Sequence, residues 1–367
     1  MHGQNGNHTL SVDHFLIRVK ELVKSLPPAY FAMVMSTGII SISCYMLEIK
    51  LIAHVLFWLN IWFYISLWLL SILRILFYHK DFLQDMIDHQ KGPGFFTIVA
   101  GSCILGSQFI IIFNDYSAAF LLWVIGLILW VIFNYTIFTG FTIKENKPPL
   151  DQGITGAWLL AVVASQSIAV LSTLIAAHME QPFKLQMNFL ALCMWLWGGM
   201  LYIWMISLIF YRYTFFRFSP GDLSPPYWIN MGAMAISTLA GSLLMSNTYE
   251  APFLQSLVPF IKGFTIFYWV TGTWWIPMLF ILAIWRHIYK RFPMKYDPLY
   301  WGAVFPLGMY TACTFRMADA MNIHFLDEVP EYFIYIALTA WLAAFIGFLH
   351  SIFNQLKGLI IKPSGTR

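Results

Sequence analysis

Charged side chains are scarce in this sequence. Asp, Glu, Lys and Arg make up 10% of its 367 residues, where a soluble domain of ordinary composition carries roughly 25%. That shortage excludes an extensive water-facing surface and leaves lipid as the main solvent. Metal-binding spacing is missing too: the ten histidines are scattered, with no H-x-x-H or H-E-x-x-H, so no metal and no other cofactor is expected. There is no Gly-rich phosphate loop and no G-x-S-x-G elbow. The only cysteines are Cys44, Cys103, Cys193 and Cys313, each in an apolar stretch and none paired as C-x-x-C, which reads as filler at helix contacts. Acidic residues sit almost wholly at the ends of apolar runs, which leaves a membrane-embedded enzyme without paired carboxylates. A net charge of +4 gives no footprint for nucleic acid.

What is present is apolar and aromatic: 59% hydrophobic residues, 18% aromatic, mean hydropathy +0.69. In lipid every backbone polar group must be satisfied within its own segment, so runs of this kind must be helices of about twenty residues. Ten are expected, at roughly 28–47, 52–78, 93–113, 118–142, 155–177, 188–211, 226–246, 262–285, 298–319 and 331–353. If both termini are cytoplasmic, 17 of the 21 Lys and Arg fall on the inside, and only Lys50, Lys184, Lys262 and Arg316 outside, as positive residues distribute in membrane proteins. The expected organisation is a cytoplasmic segment 1–26, a transmembrane unit 27–353 and a short cytoplasmic tail 354–367. The first long apolar run is span length and starts only near Pro27, so no cleaved signal peptide is read. Within the first segment, residues 11–26 have the apolar spacing of an amphipathic surface helix.

The odd-numbered runs begin alike. Anchored at Pro28, Pro93, Thr155, Pro225 and Pro298, each has an aromatic three residues on: Phe31, Phe96, Trp158, Trp228 and Trp301. Ten residues on, every position is small: Gly38, Cys103, Ser165, Ala235 and Gly308. The anchors lie 62 to 73 residues apart, which suggests five helix pairs. Proline suits a first helical turn because its missing N–H has no partner there. Offsets three, seven and ten share one helical face. Either that face turns inward and lines a central path, or the small residues serve close helix contact. At offset seven stand Met35, Ala100, Val162, Gly232 and Phe305, one large ring among smaller or flexible neighbours. Pro306 follows Phe305 and should kink the helix there. A ring on a narrow apolar path stops ions, because dewetted constrictions do not pass charge. Polar candidates along the inner face are Ser36, Thr37, Ser102, Ser165, Gln166 and Asn230.

The openings P-P-A-Y-F-A-M-V-M-S-T-G (Pro27 to Gly38), G-A-W-L-L-A-V-V-A-S-Q-S (Gly156 to Ser167) and Y-W-G-A-V-F-P-L-G (Tyr300 to Gly308) resemble the tellurite-resistance/dicarboxylate transporter family. That family includes TehA-like proteins, fungal malate permeases and the slow anion channels of plant guard cells. The resemblance implies an all-α integral membrane protein of ten transmembrane helices, arranged as five hairpins in quasi-five-fold order around a pore. It further implies a homotrimer in the plasma membrane that passes small anions such as chloride or nitrate, with Phe305 as the occluding ring. A C4-dicarboxylate carrier, proton-coupled or not, is the alternative. A non-transporting scaffold is a third reading, which any measurable flux removes. The sequence places no Lys or Arg in the middle of an odd run. Arg316 lies near the outer end of the ninth, and Asp319, three residues later, is expected to neutralise it.

Overall fold

The computed structural model describes residues 20–294 and 296–360. The described residues form helices and no strand. Ten helices dominate: α1 Ala32–Met46, α2 Lys50–Phe77, α3 Phe96–Phe113, α4 Tyr116–Ile143, α5 Leu160–Ala176, α6 Phe183–Phe215, α7 Ile229–Ser246, α8 Pro252–Ile284, α9 Trp301–Met321 and α10 Glu328–Ile360. Most of the expected amphipathic segment, residues 11–19, lies outside the described residues. Among those described, nine helical stretches are long and apolar enough to cross a bilayer. The exception is α9, which carries Arg316, Asp319 and Pro306. It is nonetheless buried along most of its length, and α9 runs as one unbroken helix through Pro306.

Odd and even helices differ in burial. In the most apolar stretches of α1, α3, α5 and α7, between 78% and 94% of residues are buried, against 22% to 50% for α2, α4, α6, α8 and α10. The reason lies in the contacts. Helix α1 packs on α3, α3 on α5, α5 on α7, α7 on α9, and α9 back on α1. Each odd helix also packs along the even helix that follows it. The even helices keep apolar faces turned outward, as Trp58, Trp62, Ile65 and Leu69 do on α2. This is a multi-pass membrane protein: exposed apolar side chains of this density need lipid around them.

The even helices tie the odd ones together. Trp341 on α10 donates its Nε1–H to the Thr37 hydroxyl of α1 at 3.0 Å. Trp130 on α4 donates to Ser165 of α5 at 2.9 Å, and Trp269 on α8 to Thr314 of α9 at 3.0 Å. Trp195 on α6 donates to the Ser237 carbonyl of α7 at 2.8 Å. Tyr64 on α2 meets Ser102 of α3 at 2.8 Å; the Ser102 proton goes to the Ile98 carbonyl, so Tyr64 is the donor. In all five cases an even helix reaches the odd helix of the next pair.

A short 3-10 turn precedes each odd helix: Pro28–Phe31, Gly92–Phe95, Gly156–Leu159, Pro225–Trp228 and Pro298–Tyr300. Each turn contacts the next around the ring, and the last contacts the first. At that end of the molecule, basic residues at the tails of the even helices hold the loops. Arg74, nearly fully buried, pairs with Asp85 and donates Nε–H to the Lys24 carbonyl at 3.0 Å. Lys91 reaches the same carboxylate at 2.8 Å. Arg212 pairs with Asp222 at 3.3 Å and donates to the Tyr227 hydroxyl at 2.8 Å. Cations at helix C-termini also oppose the helix dipole favourably.

Two outcomes follow. A Cβ on Gly156 would fall 2.5 Å from the Pro226 carbonyl oxygen and 2.7 Å from the Tyr227 Cα, both backbone atoms. Overpacking against atoms that cannot rotate away costs about 1–3 kcal/mol. Gly156→Ala should therefore lower the thermal midpoint of the purified protein in detergent; an unchanged midpoint would mean the turns do not approach this closely. The second concerns pH. Burial alone would raise the Asp85 carboxyl, but hydrogen bonds from Lys91 and Arg74 outweigh it and hold it below its ordinary 3.8. A carboxyl depressed in the folded state adds stability that is present above 3.8 and lost as pH falls through the folded value. Asp85→Asn should flatten acid destabilisation below about pH 4. At neutral pH it should cost about 3 kcal/mol, because buried Arg74 loses its partner. Thermal midpoints of both proteins across pH 3 to 7 measure this, and parallel curves would exclude it.

Candidate functional site

Two cavities lie at opposite ends of the odd helices. The wide one, about 1020 Å³, opens among the 3-10 turns. Ala29, Gly94, Ala157, Pro226 and Leu299, one from each turn region, contribute to its wall, and Leu160 reaches furthest along a helix. Four cations (Lys24, Arg74, Lys91, Arg212) and six acids (Glu21, Asp81, Asp85, Asp151, Asp222, Asp297) also line it. Each of those cations is within 4 Å of a carboxylate, so among the described residues this mouth offers no unpaired positive charge.

The narrow cavity, about 20 Å³, lies toward the other ends and is bounded almost wholly by apolar side chains. Its lining repeats in register. Counted from Pro28, Pro93, Pro225 and Pro298, residues at offset eleven are Ile39, Ile104, Ile236 and Met309, and at offset eighteen Met46, Ile111, Leu243 and Arg316. From Thr155 the corresponding residues, Ser167 and Leu174, come one later. The repeat on α5 therefore counts from Gly156. The physical reason is that Thr155 is the cap of its turn, its hydroxyl accepting from the Ala157 N–H at 3.3 Å. Thr155 thus stands where Pro27, Ser224 and Asp297 stand before the other turns.

Offset seven lies on the same face, four residues before offset eleven. With the α5 correction, that layer holds Met35, Ala100, Val163, Gly232 and Phe305, and Val162 is displaced from it. All five are buried, Met35, Ala100, Val163 and Phe305 with 0% exposure. Phe305 is among the largest fully buried side chains. Neither cavity reaches the layer. From offset four, where the wide cavity ends at Leu160, to offset eleven is about 10 Å along a helix. Pro306 packs on α7 at Gly232 of that layer: a Cβ on Gly232 would be 2.7 Å from its Cγ.

The other sequence-derived candidates face neighbouring helices. A Cβ on Gly38 would meet Ile104 and Asn60, and one on Gly308 would meet Ile40. Cys103 lies against Gly126 of α4, and the backbone at Ala235 passes Gly272 of α8. Ser165 is taken by Trp130. Counted from Gly156, offset ten on α5 is Gln166 and not Ser165, so four of the five positions are small; neither these four nor Ser165 lines either cavity, and small size here serves helix contact. The polar candidates are spent in the same way. Ser36 bonds to the Trp301 carbonyl of α9 at 2.6 Å, Thr37 accepts from Trp341 and Ser102 from Tyr64. Gln166 donates to the Trp195 carbonyl at 2.9 Å. Asn230 is fully buried, with its side-chain amide beside the Tyr213 hydroxyl. Sequence reading missed the rings at offsets eleven and eighteen, although adding four and then seven to offset seven would have reached them.

Arg316 departs from expectation as well. No ion pair joins it to Asp319 among the described residues. Asp319 is exposed, whereas Arg316 is half-buried and lines the narrow cavity.

Comparison with known proteins bears on what this arrangement serves. An uncharacterized transporter of Methanocaldococcus jannaschii is 24% identical over 92% of this chain and 97% of its own length. A sulfite efflux pump of Trichophyton rubrum is 24% identical over 88% of this chain and 90% of its own. An uncharacterized membrane protein of Mycobacterium tuberculosis is 34% identical over 152 residues, 41% of this chain and 77% of its own. The family described as voltage-dependent anion channel matches residues 25–349. Matched over nearly its whole length, the chain belongs to the voltage-dependent anion channel (SLAC1) family, the group that its opening motifs resemble.

Proposed function

We propose that the odd helices enclose a pathway for small anions, held shut by Phe305 with Met35, Ala100, Val163 and Gly232. The observation that carries this reading is the closed layer itself: five buried residues between two cavities on one line, the bulkiest of them the Phe305 ring. A dry apolar constriction of this kind stops ions until the ring moves or the helices part. Beyond it, every cation lining the wide cavity is paired with a carboxylate and the narrow cavity is apolar but for Arg316, Ser107 and Ser167, so passage is weakly selective among monovalent anions. Family membership supports transport of anions, and the sulfite efflux pump among the relatives supports small oxyanions as the class.

In this reading the ten helices all span the membrane, as five hairpins in quasi-five-fold order. The unpaired length of α9 inside the bundle is tolerated because other helices, not lipid, surround it. The excess of Lys and Arg at one end supports cytoplasmic termini, with the wide cavity on the cytoplasmic side of a plasma membrane in this reading. Resemblance to the family supports a homotrimer with one pathway in each copy.

The test is electrical. In planar bilayers or oocytes, Phe305→Ala should pass chloride and nitrate about tenfold or more above wild type, since every ~1.4 kcal/mol off a passage barrier is a factor of ten. Phe305→Leu, which leaves a smaller void and keeps folding less disturbed, should fall between. Equal currents in all three would remove Phe305 as the barrier. Vesicles that accumulate malate under a pH gradient, with no anion current in any variant, would replace the pathway by a coupled dicarboxylate carrier.

A further inference from the structure

We infer that Arg316 is an oxyanion-binding site at the narrow mouth, one that favours anions presenting two oxygens over a spherical halide; this rests on the anion-pathway reading above. At offset eighteen the other four helices contribute Met46, Ile111, Leu174 and Leu243, so Arg316 completes an otherwise apolar ring as its one charged residue. Its Nε is sealed from solvent and has no hydrogen-bond partner. No ion pair or hydrogen bond engages the rest of the head among the described residues. A cation in apolar surroundings without a partner attracts a counterion strongly, because the local dielectric is low.

No other donor competes for such an ion. Ser107 and Ser167 are the other polar residues of the lining, but their hydroxyls donate to the Cys103 and Val163 carbonyls of their own helices at 2.9 and 2.7 Å. Recognition therefore falls to the guanidinium alone. Its planar fork gives two parallel N–H donors to nitrate, bisulfite or a carboxylate, and a chloride ion cannot use both with the same geometry. Asp319 is close enough to be felt electrostatically, yet it is exposed and unpaired with Arg316, so the anion site is left open rather than self-neutralised. The two mouths then differ: every cation lining the wide one is paired with a carboxylate, whereas the narrow one has an unpaired cation.

The experiment measures binding directly and needs no current. Thermal midpoints of the full chain in detergent are followed against sodium nitrate and sodium chloride, at ionic strength held constant with a large organic anion. Wild type should show a saturable rise, with nitrate half-saturating at a lower concentration than chloride. Arg316→Gln should raise the half-saturating nitrate concentration by about tenfold or more, the loss expected for charge-assisted hydrogen bonds. Arg316→Lys keeps the charge without the fork and should bring nitrate to the level of chloride. Absence of a saturable nitrate effect in wild type, or an unchanged nitrate response in either variant, overturns the inference. Should Arg316→Gln fail to fold, the lysine variant decides alone. Phe305→Ala currents test the pathway separately, so one reading can fall while the other stands.

Discussion

The five odd helices have neither water nor lipid along most of their length, and every polar atom on them must find its partner within the bundle, on its own helix or on another. An unsatisfied polar group in such surroundings costs several kcal/mol. The even helices meet this demand with aromatic donors that cross to the next pair. Trp341 to Thr37 is the bond that closes the circle, joining the last helix to the first. Ser36 to the Trp301 carbonyl and Ser43 to the Gly308 carbonyl, at 2.6 and 2.9 Å, seal the same seam from within. Hydroxyls used this way specify which helix neighbours which, and they hold the inner bundle at the separation that leaves two cavities and one closed layer.

This constraint explains why the sequence was legible in some respects and misleading in others. Apolar runs and the Lys and Arg asymmetry were readable because lipid imposes length and charge placement on each run separately. The repeat was readable in four of five helices, since proline at the first turn marks the register directly. On α5 no proline is present, and Trp158 supplied an aromatic at the anticipated spacing from the wrong anchor; only the cap at Thr155 reveals the shift. Small residues were harder. Gly38 and Gly308 have the size a pathway lining would need, but the same size is required where Ile104 and Ile40 press against them. Composition at one position cannot tell a void from a close contact, because both exclude a side chain. The pairing of Arg316 with Asp319 failed for a related reason: three residues apart on a helix permits contact, but burial draws one head inward while water keeps the other out.

The closed layer shows how these demands combine. Gly232 has no side chain, and Pro306 fills the place one would occupy. Proline offers no N–H to be satisfied, so its ring can press on a neighbouring helix in dry surroundings, although the Gly302 carbonyl loses its helical donor. With Pro306 set against α7, the preceding residue projects about 100° away around the helix, and this residue is Phe305. The position of the ring thus depends on a contact it does not make. A barrier built from one large side chain, with Ala100 and Gly232 as neighbours, differs physically from one built from five side chains of middle size. Five would have to withdraw together, whereas a single ring needs one torsion to change or one helix to shift, and the small residues beside it supply the space. The proposed pathway is therefore closed by the least cooperative arrangement that five packed helices allow, and its opening is governed by what bears on α7 and α9 at the Gly232–Pro306 contact.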